Sequence, residues 1–590
     1  MRVNSPVRFL GEGMAARPSP HPTDNVGSIP IARSIFTSEA DMDASQCDVA
    51  PGVWQDWNRI DWARVHRTTR RLQTRIAKAV RTGDRRGARR LQRLLAHSTS
   101  GKLLAVRRVT ENHGRKTAGV DHVKWPTPES KSCAARTLVS KGYRALPLRR
   151  VHIPKSHGDG TRPLGIPTMR DRAMQALHLL TLEPISESTA DENSYGFRPF
   201  RSTADALVQC RNVLDRRHSS KWILEGDIKG CFDNISHDWL LAHVPMDKRI
   251  LKQWLKAGFV EFNRLFPTEA GTPQGGIASP VLANLTLDGL EPLLNERFRS
   301  RKHKVHVVRY ADDFIVTGSS KELLEREVKP VIEEFLTQRG LTLSPTKTRI
   351  TYITEGFDFL GWNLRWVRGG LRSVPSKKNR LAYYDKLRQT IRNLRAASQA
   401  ELIECLNPLI RGWAQYHRCV AVNEVFRKMD HLLFCALWKW SLRRHPNKGK
   451  RWIKRRYFRR EGARDWVFAV ERFRLLRFSD FSYREHFKVK SEANPYDPQW
   501  EHYFAKRQAK QMMQTLVGRR KLAWLWNKQD GKCPFCHLPV TKQTGWDVHH
   551  RIWRLHGGSD RWTNLAITHP TCHAQHHAVR VESDEESVLP

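Results

Sequence analysis

No stretch of this sequence approaches the roughly eighteen to twenty apolar residues that a bilayer-crossing helix needs, so none is expected and the chain should be soluble. Acid is scarce, with 59 Asp and Glu against 102 Lys and Arg and a formal charge of +43. A field of that sign draws polyanions. The ten cysteines are mostly scattered, which argues against a disulfide framework and for a reducing cytosol. The leader before Trp54 has neither the apolar core of a signal peptide nor a clear period. It is read as a floppy segment spanning 1–56, or as upstream sequence translated ahead of a start near Met42. A chain of 590 residues is too long for one core and should divide into domains.

Tryptophan, by contrast, is abundant at 20 copies, and Trp438-Lys439-Trp440 and Lys450-Arg451-Trp452 place indoles among cations. Such pairs can stack on bases and meet phosphates, although most tryptophans fill cores. The most informative residues are Tyr310-Ala311-Asp312-Asp313, between the apolar runs Val305–Arg309 and Phe314–Thr317. These runs read as a hairpin with two acids at its turn. Alone, the pair is as readily a solvated turn. Upstream, however, the apolar stretch Trp222–Leu224 runs into Glu225-Gly226-Asp227, and a helix is expected near Ser236-His237-Asp238. If that strand lies beside the hairpin, Asp227 joins Asp312. Carboxylates with substrate phosphates are what magnesium prefers, and such a cluster bridging two cations clamps an in-line displacement at phosphorus.

The C-terminal part carries a second chemistry. Cys533-Pro-Phe-Cys536 and His569-Pro-Thr-Cys572 are two pairs spaced so that one turn delivers two ligands, together a Cys₃His set typical of structural zinc. Helical patterns fill two other regions. From Trp57 to about His97 the chain is basic, with Ile60, Val65, Leu72, Ile76 and Val80 on one face, a break near Gly83-Asp84, and Leu91, Leu94 and Leu95 beyond it. Between about Asn379 and Phe458, Phe426, Leu432, Phe434, Leu437 and Trp438 recur at the spacing of a helical bundle core.

The order of motifs resembles the reverse transcriptases encoded by group II introns, the maturase family. The likeness runs from Lys116-Thr-Ala-Gly-Val-Asp121 through Ile153-Pro-Lys155, Arg162-Pro-Leu-Gly-Ile-Pro167, Asn193-Ser-Tyr-Gly-Phe-Arg198, Gly271-Thr-Pro-Gln-Gly-Gly276 and Ser279-Pro280. After the acidic hairpin it continues in Gly340-Leu-Thr-Leu-Ser-Pro-Thr-Lys347 and Phe357-Asp-Phe-Leu-Gly-Trp362. The resemblance implies a multidomain α+β chain. Its fingers and palm (57–375) would be an antiparallel sheet with helices, including the basic N-terminal extension that meets RNA. A helical thumb or domain X (376–458), anchored by Arg411, Trp413, Tyr416 and His417, would follow, then a basic DNA-binding region (459–520). The likeness extends to a small zinc-stabilised ββα HNH endonuclease domain (521–590), carried by Val548-His549-His550-Arg551-Ile552, Asn564-Leu565 and the tail to His577.

Roles follow from the same resemblance. Asp227, Asp312 and Asp313 would bind two Mg²⁺, helped by the carbonyl of Ile228. Phe232 would crowd a ribose 2′-hydroxyl, unless it is simply a core aromatic; Lys155 and Arg162, with Arg149, would grip the triphosphate of a dNTP. Gln274 would lie near the nascent pair, and Lys347 would serve as an acid for pyrophosphate or stand as a solvated loop lysine. In the HNH domain His550 would be the base, Asn564 would orient it, and His549 with His577 would hold a divalent cation, the roles of the two adjacent histidines staying open. Cys533, Cys536, His569 and Cys572 would hold Zn²⁺, with His569 at a position the family often fills with a fourth cysteine. The implied partners are the intron RNA, target DNA and dNTPs, with no membrane. Two other readings are a splicing cofactor that does not use its polymerase, and a reverse transcriptase with an HNH nuclease recruited to host defence.

Overall fold

The computed structural model describes residues 29–30, 56–154, 160–516 and 519–586. Lys155 and nearly all of the leader lie outside them. At the centre is an antiparallel sheet of four strands in the order His306–Tyr310, Asp313–Gly318, Trp222–Asp227, Arg349–Tyr352. Side chains alternate across a strand, and here both faces are covered. Leu224, Val307, Phe314 and Val316 enter one core with the fingers and palm helices. Ile223, Val308 and Ile315 enter a second core shared with the thumb. Burial on both faces is why these strands read as continuous apolar runs rather than as alternation.

The basic N-terminal region forms three helices, Trp62–Arg81, Arg85–His97 and Thr99–Glu111. The expected break falls where Asp84 accepts from the Gly87 amide at 2.7 Å, capping the second helix. Val65, Leu72, Ile76 and Leu95 turn inward, whereas Leu94 faces out at 53% exposure. Arg172, on the long helix Met169–Thr189, donates to the carbonyls of Gly114 (3.0 Å) and Pro167 (2.9 Å), tying the finger extension to the palm. A second sheet carries the fingers: Leu148–Pro154 pairs antiparallel with Thr161–Ile166 and parallel with Phe259–Glu261.

The thumb packs Lys377–Asn393, Gln399–His417 and Asn423–Arg444 against the meander Phe357–Phe359, Trp362–Val367, Gly370–Pro375. Its docking explains the aromatic motif before it. Trp362, with 0% exposure, stacks on Tyr416 at 4.7 Å between centroids, and Tyr416 donates to the Leu360 carbonyl at 2.8 Å. Trp413 Nε1 donates to Asn379 Oδ1 at 2.9 Å and His417 Nε2 meets the same oxygen at 3.0 Å. Beyond the thumb, the segment read as one basic region comprises the hairpin Phe458–Glu461 with Arg464–Val470, an extended strap, and the helix Glu501–Thr515. The strap crosses back over the palm: Val489 N donates to buried Asp205 at 2.8 Å and Tyr496 OH to Glu183 at 2.7 Å. The C-terminal unit has its own core around Leu525, Val540, Leu565 and Ile567, with an antiparallel pair Asp547–His550 and Leu565–Thr568 followed by the helix Pro570–Glu586.

One close approach explains the Asn193–Arg198 motif. Tyr195 N donates to Arg309 O at 2.9 Å and Arg309 N to Asn193 O at 3.0 Å, pressing the motif on the acidic turn. A Cβ on Gly196 would lie 2.2 Å from the backbone nitrogen of Ala311. Gly196→Ala is therefore expected to destabilise this region by about 1–3 kcal/mol, as overpacking does. Its thermal melt should fall and the turn should shift; a melt and a primer-extension rate equal to wild type would contradict the packing described.

Candidate metal centres

The strand register builds the first centre. Asp227 stands directly opposite Asp313, and Tyr310 pairs with Asp313 across a turn formed by Ala311 and Asp312. Ala311 takes a left-handed backbone (φ 58°), which lets so short a turn close. Directly paired residues place their Cβ atoms about 5 Å apart, so three carboxylates converge on one spot. Although Asp313 keeps an exposed edge, desolvation among the packed strands raises its carboxyl to about 7, with the charges of Asp312 and Asp227 adding to it and Lys347 opposing. Burial also raises Asp312, with Asp227 adding and Arg162 and Lys347 opposing. Acids that resist their own ionisation in this way fit a divalent cation, which relieves both causes.

Cations already face these acids. Lys347 Nζ lies 3.1 and 3.0 Å from the two oxygens of Asp227 while its side chain is largely exposed, so the loop lysine is solvated and still meets the acidic strand. Ser344 N donates to the Asp227 carbonyl at 2.7 Å, fixing the lysine loop to the acidic strand, and Ile228 bridges Leu343 beside it. Arg162 is exposed on the finger strand, where its charge reaches both Asp312 and Asp233. Arg149 pairs with Ile166 in the same sheet, and its buried Nε has no hydrogen-bond partner in the protein. Gln274 gives its carbonyl to Gly165 N at 2.9 Å, which seats the Pro-Gln-Gly-Gly turn on the fingers. Phe232 is half-buried, edge-on to Phe197 at 6.0 Å between centroids, so it both packs on the core and shows a face.

Sequence reasoning missed what holds the hairpin from behind. Arg309, 1% exposed and one residue before the Tyr-Ala-Asp-Asp turn, pairs with Asp288 and, at 3.9 Å, with Asp191. Arg198 grips Glu187 with two bonds of 2.9 and 3.0 Å and donates to the carbonyls of Asp191 and Ser194 at 2.7 and 2.9 Å. Burial raises Asp288 to about 7, with Arg309 opposing. Breaking one partner of such a network is expensive because a buried charge is left uncompensated.

The second centre lies in the C-terminal unit. Adjacent strand residues point to opposite faces, and this separates the histidine pair. His549, 2% exposed, turns inward to His573 and His577, and the three offer ligand atoms within 4.8 Å of one another. Burial lowers His549 to about 4, with His576 and His573 adding, which keeps the imidazole neutral, the form that ligates metal. Its buried Nδ1 has no hydrogen-bond partner in the protein. His550 turns the other way, with Nε2 2.8 Å from Asp560 Oδ1. Asn564 reaches neither ring. Its side chain donates to the carbonyls of Ile552 (3.0 Å) and Ser559 (2.9 Å) and accepts from Ile552 N (2.8 Å), fixing the loop that leaves His550. His573 was not singled out as a ligand; its spacing of four from His577 on one helix face was the available signal.

The third set is Cys533, Cys536, His569 and Cys572, whose ligand atoms also lie within 4.8 Å of one another. His569 Nε2 faces the Pro539 carbonyl at 3.1 Å, leaving Nδ1 toward Cys536 Sγ at 3.2 Å. An outer hydrogen bond that fixes the tautomer is what a ligating histidine usually has.

Comparison with known proteins agrees along the chain. Residues 57–138 match the N-terminal domain of reverse transcriptase and 153–364 match reverse transcriptase (RNA-dependent DNA polymerase). Residues 381–458 match the group II intron maturase-specific domain and 533–578 match HNH endonuclease. Protein YkfC of Escherichia coli (strain K12) is 34% identical over 345 residues, covering 49% of this chain and 89% of that protein. The group II intron-encoded protein LtrA of Lactococcus lactis subsp. cremoris is 29% identical over 372 residues, 50% of this chain and 62% of LtrA. A 91 kDa protein in the cob intron of Schizosaccharomyces pombe is 29% identical over 403 residues, 54% of this chain and 49% of that protein. The chain thus spans less than two thirds of the latter two.

Cys536→Ser is expected to release one equivalent of tightly bound zinc and to melt the C-terminal unit without altering primer extension. Elemental analysis of the purified protein checks this; full zinc retention would contradict the ligand set.

Proposed function

This chain belongs to the group II intron-encoded reverse transcriptases that carry a maturase-specific domain and an HNH endonuclease domain, and on that premise we propose that it binds its intron RNA, assists splicing and copies that RNA into DNA at a cut target. The observation that carries the polymerase reading is the pairing of Asp227 with Asp313 beside the Asp312 turn. Two Mg²⁺ held by these acids would supply charge neutralisation for the attacking and leaving oxygens of phosphoryl transfer. The chain's own residues do the rest. Arg162, with Arg149 and Lys155, grips the triphosphate of a dNTP, and Lys347 is placed to exchange its Asp227 contact for a phosphate. Phe232, braced by Phe197, presents an aromatic wall to the sugar, and Gln274 borders the new pair.

In the nuclease unit, His550 accepts a proton from the attacking water while Asp560 steadies the ring. His549, His573 and His577 would hold a divalent cation there, and the Cys₃His set would hold structural zinc. In this scheme the intron RNA attacks one DNA strand, the nuclease cuts the other, and the new 3′ end primes copying. A reducing cytosol suits thiol ligands that must stay unpaired. Among the described residues no helix is long and apolar enough to cross a membrane.

Separate sites predict separable losses. Asp312→Ala should reduce primer extension on RNA to background while leaving DNA cutting within about twofold; an extending variant would reject the polymerase site. Conversely, His550→Ala should slow DNA cutting by about 10²–10⁴-fold, the range for a lost general base, with primer extension unchanged. Unaltered cutting would remove His550 from that role.

A further inference from the structure

We propose that Trp466, on the hairpin beyond the thumb, is a stacking platform for an unpaired nucleobase of single-stranded nucleic acid. The inference rests on the nucleic-acid-binding function proposed above, and it assigns a site to a part of the chain outside all three candidate metal sets.

Three observations converge on this residue. First, Trp466 has a left-handed backbone (φ 62°), a strained conformation for a bulky side chain. It lies where the pairing of Phe458–Glu461 with Arg464–Val470 changes register between Arg459 and Glu461. A bulge re-aims a side chain, and such strain persists only where the surroundings enforce it. Second, the enforcing surroundings are aromatic. The Trp466 ring meets Trp438 at 5.4 Å, Phe458 at 5.6 Å and Phe434 at 5.7 Å, all between centroids and all steeply inclined. These rings brace the indole from the thumb side while 39% of the residue stays exposed. Third, the rim is cationic. Lys454 Nζ lies 4.6 Å from the ring centre, and from Lys450 to Arg460 the chain has no acidic residue. Two acids of the hairpin are matched by cations outside it: Asp465 faces Lys454 of the preceding helix at 3.4 Å and Glu461 faces Arg474 at 3.3 Å.

A part-exposed, preoriented indole with Lys454 at its ring and a basic helix beside it offers a base an apolar surface and its phosphates a counter-charge. A duplex keeps its bases stacked on each other and has little use for the indole, so the site should discriminate single strand from duplex. Stacking tolerates any base, so sequence preference should be weak.

The test is anisotropy with labelled RNA and DNA oligonucleotides, each single-stranded and duplex, on the full chain. Trp466→Ala should weaken single-strand binding about 5- to 150-fold, the range for one lost stack, and change duplex binding less than twofold. Trp466→Phe should restore most of the loss. The salt dependence of Trp466→Ala should match wild type, whereas Lys454→Ala should lower the slope by about one. The tighter of the RNA and DNA arms identifies the strand taken. Equal losses for single strand and duplex, or no loss, would overturn the proposal. So would a photo-crosslink from a thio-substituted oligonucleotide that fails to reach residues 464–470 of the unmutated chain, a readout that needs no variant to fold. A wild-type chain that binds no oligonucleotide would instead refute the parent reading.

Discussion

One register holds the polymerase centre together: Asp227 pairs with Asp313 and with no neighbour of it. Because side chains alternate, a slip of one residue would send Asp227 to the opposite face and exchange the two cores. Several contacts forbid that slip. The Phe314 ring occupies the space a Cβ on Gly226 would take, so the glycine before Asp227 fits at that level of the sheet. Val308 and Ile315 are buried against the thumb side, Val307 and Val316 against the palm helices. Chemistry at the turn therefore depends on packing that extends from the fingers to the thumb.

The same convergence creates its own opposition. Three carboxylates at one end of a sheet repel one another, and burial raises two of them. Lys347 offsets part of this directly, while Arg309 and Arg198 hold the hairpin from the other side through Asp288, Asp191 and Glu187. A divalent cation between these acids would relieve both their mutual repulsion and the cost of burying their charge. The nuclease centre is arranged differently. There burial keeps His549 neutral beside His573 and His577, and opposite strand faces keep it apart from the half-exposed His550.

How much of this was legible depended on how local the signal was. The acidic hairpin and the strand ending at Asp227 could be read because apolar runs bounded by acids need only neighbouring residues to be recognised. The Cys₃His set was legible for the same reason, its ligands arriving in closely spaced pairs. The network around Arg309 was not. Its members are spread from Glu187 to Arg309 and look like ordinary surface charge until the fold buries them. The strap through Val489 and Tyr496 has no period, and the bulge at Trp466 depends on partners in the thumb, so neither leaves a pattern. His573 lay in a histidine-rich tail, where its spacing of four from His577 was the one local hint and the grouping with His549 came only from the fold. Family likeness supplied the roles of Arg162, Phe232 and Gln274; composition alone would have left them as a finger arginine, a core aromatic and a turn.

The most direct measurement is manganese binding to the polymerase centre, followed by paramagnetic resonance on the full chain with a primed RNA template and a non-reacting dNTP. The account predicts two coupled ions about 3.5–4 Å apart, as two-metal phosphoryl-transfer sites show, with the coupling lost in both Asp227→Asn and Asp313→Asn. Coupled ions that persist unchanged in either variant would contradict the cross-strand pairing as the source of the site.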